Sequence, residues 1–178
     1  MWALVEDSKI SKVYSKPTQL TIGDIKYPSN IHNLWSEAEL KAIGVYIVIE
    51  DNSNLKDKEY YINTDQSFAF ASNKVTATYG TATARDLDTL KTSHCETIDN
   101  QAYGLLQPND WMVVRNAESS KAIPSDWLDY RVAVRTAATD MKTKINAVSD
   151  VDALAALYAY SGDPATRPLG EFPTEPTS

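Results

Sequence analysis

The sequence predicts an α+β fold in two parts, and three observations predict it. Through residue 79, apolar residues alternate in short runs separated by turn residues; from 81 to 160 they recur at steps of three and four. Beyond 160, prolines and glycines forbid a regular period. The boundaries therefore read as a mostly-β domain at 1–79, an α-helical domain at 80–160 and an extended Pro-rich tail at 161–178. The first is expected to be a small antiparallel β domain carrying one short helix, the second a helical hairpin or bundle. With 178 residues and 43% hydrophobic content, the chain has material for a real core in one large or two small domains.

In the β part, strands are expected over 2–5 and 10–14, with Asp7 and Ser8 as the hairpin turn. A glycine there would set the register more firmly. Strands 19–22 and 25–27 flank Gly23-Asp24, a stronger turn because glycine allows positive φ. Ser36 followed by Glu39 makes a capping box for a short helix bearing Leu40 and Ile43, which Gly44 ends as a left-handed cap. Further strands follow at 45–49, 60–63, 68–71 and 75–79, the last two joined at Ser72-Asn73.

In the α part, Leu87, Leu90, His94, Ile98, Ala102 and Leu105 form one stripe, with Arg85, Asp88, Glu96 and Asp99 opposite. Pro108, Asn109 and Asp110 stop that helix and cap the next, and 111–115 fits a brief helical turn. Pro124 suits the first turn of a following helix, with Ser125 and Asp126 near its positive end. Its stripe is Trp127, Tyr130, Val134, Ala137, Ala138, Met141, Ile145 and Val148. The two stripes suit side-by-side packing, and Ala137 and Ala138 permit close approach. Trp111 and Trp127 are expected as buried anchors, because large aromatics dominate buried contact area. Ser149, three residues before Asp152, caps a last helix bearing Val151, Leu154, Leu157 and Tyr158.

Two features leave alternatives. Leu128 and Val132 lie off the main stripe, so they make either a second contact within the chain or a surface for a partner. Leu169 and Phe172 are the only large apolar residues of the tail, which is either solvated or an extended peptide that docks them onto a neighbour.

Catalytic chemistry finds no support in the residues. His94 and Cys95 are adjacent, and neighbouring helical side chains point about 100° apart, so they do not form a nucleophile–base pair. His32 has no second histidine or cysteine near it in the sequence, whereas zinc takes three or four such ligands. The pairs Asp86/Asp88, Asp126/Asp129 and Asp150/Asp152 lack the run of ligands and central glycine of a calcium loop. Only 6 glycines occur, and no phosphate loop or nucleophile elbow is present. No enzyme activity, cofactor or metal is expected.

The net charge of −7, with no run of Lys and Arg, argues against nucleic acid as a partner. A single cysteine, Cys95, fits a reducing compartment. No basic segment followed by an apolar run opens the chain, and no apolar stretch reaches the roughly 20 residues of a membrane helix. A soluble protein made in the cytosol is expected, without a membrane partner.

Residues 105–135 carry two linked blocks: Gln107, Pro108, Asp110, Trp111, Val113 and Arg115, then Ile123, Pro124, Leu128, Tyr130, Arg131 and Arg135. This pattern, with Trp127 inside it, resembles the C-terminal segment of bacteriophage tail-assembly chaperones, small proteins associated with tail fibres. Residues 27–46, with Pro28, Asn30, Ile31, Leu34, Trp35, Ser36, Leu40, Ile43 and Gly44, resemble amino-terminal segments of phage tail-fibre-associated proteins. The resemblance implies a viral protein that acts by binding a tail-fibre or other tail protein. It implies either an assembly factor in the host cytoplasm or a subunit retained in the virion tail, with self-association compatible with both. A tail-associated cell-wall hydrolase is the remote third reading. Strand edges in 1–79 and apolar helix faces beyond 81 are the two surfaces such a protein would offer.

Overall fold

The computed structural model describes residues 1–177 and has a mixed α+β architecture. It divides into two compact units, Met1–Thr83 and a second that begins at Ala84. The division falls a few residues beyond 79 because the chain stays tied to the first unit there. The Gly80 N–H donates to Thr64 Oγ1 at 2.7 Å, and the two-residue strands β6 (Tyr61–Ile62) and β9 (Thr83–Ala84) pair.

The first unit is built on a five-stranded sheet. Its members are β1 (Trp2–Glu6), β2 (Lys9–Tyr14), β5 (Val45–Asp51), β7 (Gln66–Ala71) and β8 (Lys74–Tyr79), in the order β2-β1-β5-β8-β7. Asp7-Ser8 and Ser72-Asn73 close the β1–β2 and β7–β8 hairpins with positive φ at both residues of each turn, the twist that two-residue hairpins require. Gly23, at φ +58°, closes the small ribbon of β3 (Leu20–Ile22) and β4 (Ile25–Tyr27).

One expectation needs correction: the sheet is not purely antiparallel. β5 and β8 run parallel, with Val48 opposite Val75, because the crossover between them carries β6 and β7. The edge strands β2 and β7 approach each other, so the sheet curls and offers less free edge than a flat one. Alternation along the strands then feeds two cores. Leu4, Leu20, Ile31, Leu40 and Val45 cluster with Trp2, Tyr27 and Trp35 around them. Ala3, Val48, Val75 and Ala77 cluster with Val13, Phe68 and Phe70.

Two short helices replace the single one expected, α1 (Ile31–Leu34) and α2 (Glu37–Ala42). His32 sits on the first of them. Ser36 and Glu39 make the capping box, and Gly44 at φ +80° follows α2. A side chain at Gly44 would also meet the Val5 carbonyl oxygen at 2.7 Å, so glycine is required there on two counts.

The second unit packs α3 (Leu87–Leu106) antiparallel on α5 (Ser125–Ala147), as the cross-pairs Lys91–Asn146, Asp99–Lys142 and Leu106–Arg131 record. Ile98, Val134, Met141, Ile145, Leu154 and Leu169 are its most deeply buried large apolar residues. A 3-10 turn, Gln107–Asn109, leads into α4 (Asp110–Ser119), which is longer than the brief turn expected. α6 (Val151–Tyr158) closes the set. It is capped by Asp150, whose carboxylate accepts the Ala153 N–H at 2.8 Å, and not by Ser149, whose hydroxyl instead donates to Asp150.

Residues past 160 are not a free third segment. Leu169 is 1% exposed, its N–H donating to the Leu157 carbonyl at 2.9 Å. The Lys144 ammonium donates to the carbonyls of Pro168 (2.8 Å) and Leu169 (3.1 Å). Arg167 pairs with Glu171 at 2.9 Å and lies over the rings of Tyr158 and Tyr160. The unit thus completes its own core with Leu169, while Phe172 stays half-buried. Ser178 lies outside the described residues.

Candidate interaction surface

The α3–α4 elbow is where the two sequence blocks meet. α3 ends in carbonyl groups with no helical partner. Arg131, on α5 and only 4% exposed, places its guanidinium there and donates to the Leu106 carbonyl (3.1 Å), to Asn109 Oδ1 and to Asp110 Oδ1 (2.5 Å). Asn109 is 2% exposed, and its Nδ2 donates to the Leu105 carbonyl at 3.3 Å. A planar fork of donors matches three acceptors around a bend, a task lysine's single ammonium fits poorly. Asp110 also puts negative charge at the positive end of α4.

The elbow fixes α4 at one end only. None of its residues is buried. Trp111 is 53% exposed, which corrects its expected role as a core anchor: the element that carries it is not covered by a second layer. One face of its ring is taken by the Arg115 guanidinium at 4.7 Å. Val113 and Val114 are exposed beside it. On α5, Leu128 and Val132 are 49% and 55% exposed, so about half of each side chain faces solvent. They stand one turn apart on one side of the helix.

The remaining motif residues divide by role. Trp127 is half-buried and meets Tyr130 edge-on at 6.0 Å. Tyr130 is buried, and its hydroxyl is pushed above the ordinary value by burial first and the Glu175 carboxylate second. Pro124 precedes α5, its carbonyl accepting the Leu128 N–H at 3.0 Å. Arg135 donates to the Arg131 carbonyl at 3.3 Å. Gln107 and Pro108 are exposed on the 3-10 turn. Trp35 belongs to the first unit, edge-on to Tyr27 at 5.8 Å. The structure therefore joins Asp110 to Arg131, Trp111 to Arg115 and Trp127 to Tyr130.

Asn109 is the residue that sequence reasoning undervalued, as a cap and nothing more. A signal was available: Arg131 continues the spacing of Val134, Ala138, Met141 and Ile145 on the buried side of α5. An arginine in such a position demands buried acceptors.

The titratable residues are spoken for elsewhere. His94 is buried, with Nδ1 2.8 Å from the Tyr158 hydroxyl. Cys95 faces Asn146 Nδ2 at 3.9 Å, and burial raises its thiol pKa, which disfavours a thiolate. His32 places Nε2 3.0 Å from the Thr18 carbonyl and stacks against Trp2 at 4.7 Å. Among the described residues, no group of three or more His, Cys, Asp or Glu could hold a metal ion. No helix among them is long and apolar enough to cross a membrane. Compared with protein-family models, with curated proteins and with solved structures, the chain matches none.

Proposed function

We propose that this protein acts by binding, as a bacteriophage tail-fibre assembly chaperone or fibre-associated factor, and that α4 with the outer side of α5 is its contact surface. One observation carries the reading: a helix with no buried residue is held at a fixed angle by a buried arginine, with Trp111 and Val114 in solvent. An exposed Trp stacked by Arg is the combination that dominates protein interface energetics. The sequence resemblance at 105–135 supplies the partner class. In this reading, α3 and α5 form a rigid helical hairpin and the Pro-rich tail runs extended along it.

The physical task follows from the partner. Fibre subunits are elongated and β-rich, and non-local strand pairing is slow and leaves edges exposed. A small protein that covers apolar surface until the fibre closes would prevent misassembly. Co-expression with the product of the adjacent fibre gene, followed by size exclusion, tests this: a stoichiometric complex is expected, and separate elution would refute it. Mass spectrometry of purified particles then separates the transient factor, absent from them, from a structural subunit present at fixed copy number.

A further inference from the structure

We propose that the C-terminal segment is a releasable strap over the side of α5, and that the protein engages its partner more strongly with the strap open. The proposal rests on the binding reading above and concerns how that surface is regulated.

The contacts trace a path. Pro168 and Leu169 are held by Lys144 near the end of α5. Glu171 and Pro173 stand beside the middle of the helix, across a groove whose floor includes Val132, Ala133 and Ala137. Glu175 lies close enough to Tyr130 to act on its hydroxyl. From Lys144 back to Tyr130 the helix rises about 21 Å. From Leu169 to Glu175 an extended chain covers about 20 Å. The two lengths agree, so the strap runs antiparallel to α5 and ends beside the turns that expose Leu128 and Val132.

Its attachment is narrow. Leu169 is the single fully buried anchor; Phe172 and Pro173 are half-buried, and the remaining contacts are polar, through Lys144, Arg167, Glu171 and Tyr160. Every residue of 159–166 is exposed, and a backbone pair between Ser161 and Thr166 closes that turn. The strap does not seal the helix either, since about 460 Å³ of open groove remains between them. A segment held by one fully buried side chain, two half-buried ones and mostly exposed polar bonds lies toward the low-stability end of local opening. Release would bare the socket of Leu169 and the floor of the groove, where Val132, Ala133 and Ala137 lie among Asp129, Thr136 and Asp140.

The full-length double variant Lys144→Met, Arg167→Ala removes the polar clamp while keeping Leu169 and the lysine's aliphatic stem. Three readouts are compared with the unmodified chain: hydrogen exchange over 167–177, fluorescence of a hydrophobic dye, and affinity for the adjacent-gene fibre protein. At least tenfold faster exchange, a higher dye signal and severalfold tighter fibre binding are expected, because apparent affinity scales with the open fraction. Unchanged exchange would overturn the proposal, since the clamp would not be what holds the strap. Faster exchange with equal or weaker fibre binding would overturn it as well. If neither form binds the fibre protein, the binding reading fails on its own. The dye then decides the strap: a rise supports it and no rise sinks it.

Discussion

The two units differ in how fully they enclose their tryptophans. In the first, Trp2 packs tilted against His32, Trp35 edge-on to Tyr27 and Tyr46 edge-on to Phe70, all against one of two apolar clusters. In the second, a guanidinium occupies the interior of the elbow while Trp111 stands in solvent. The curled sheet explains the first case, because both of its faces are filled and its edges approach each other. α4 explains the second: it is anchored at one end and no layer covers it. A tryptophan is buried by the number of surfaces that enclose its element, not by its own hydrophobicity. Both units leave some large apolar residues outward, Leu34 and Ile62 in the first and Val114 and Val132 in the second; the difference is that only the second exposes a tryptophan.

The comparison breaks first at Arg131. Its replacement by leucine strands the Asn109 amide oxygen and the Leu106 carbonyl, and should cost about 2–6 kcal/mol, roughly 1–3 for each stranded acceptor. Denaturant unfolding of the full chain checks this, and a midpoint that hardly moves would mean the elbow is not held by the arginine. Leu169→Ala should cost about 2–5 kcal/mol, as for a buried leucine in any core. A free tail would lose nothing, so this variant separates a strap that completes the second unit from one that only rests on it. In the first unit, Ser36→Ala removes the capping box of α2 and should cost about 1 kcal/mol.

Acid sharpens the same point. Hydrogen bonds hold three capping carboxylates below their ordinary range: Glu39 through Ser36, Asp86 through Thr89 and Asp150 through Ala153. Their folded values lie below the unfolded ones. Their contribution is therefore complete above the ordinary carboxylate range and is lost as pH falls through the folded values. Protection factors at the first turns of α2, α3 and α6, which take out the slower intrinsic exchange in acid, should fall together. The smallest stability effect is expected for Trp111→Ala, within about 0.5 kcal/mol, as for an exposed site.

Much of the architecture could be read from the chain, because turns and caps are local. Positive φ at Asp7, Ser8, Ser72 and Asn73, the Ser36–Glu39 box and the Gly44 stop all fall where residue chemistry placed them. The extra turn of α1, the length of α4 and the Asp150 cap were missed locally, but the larger errors are non-local. The parallel pairing of β5 with β8 depends on where a crossover returns, which alternation does not encode. Leu169 looked like a lone apolar residue among prolines because its partners lie on earlier helices. Trp111 was assigned to the core by residue type, and type says nothing about whether a second layer exists. The Asp110–Arg131 pair was visible as two motif residues, but the contact between them needed the fold.

The central claim is that exposed side chains on α4 and α5 are the contact surface, and one measurement tests it most directly. Trp111→Ser and Leu128→Ser, each made in the full-length chain, are compared with the unmodified protein in co-expression with the adjacent-gene fibre protein and size exclusion. Both variants should unfold at nearly the unmodified denaturant midpoint, while the fibre complex is lost or weakened by at least tenfold. Complexes formed as well as before, by variants that fold as well as before, would contradict the account.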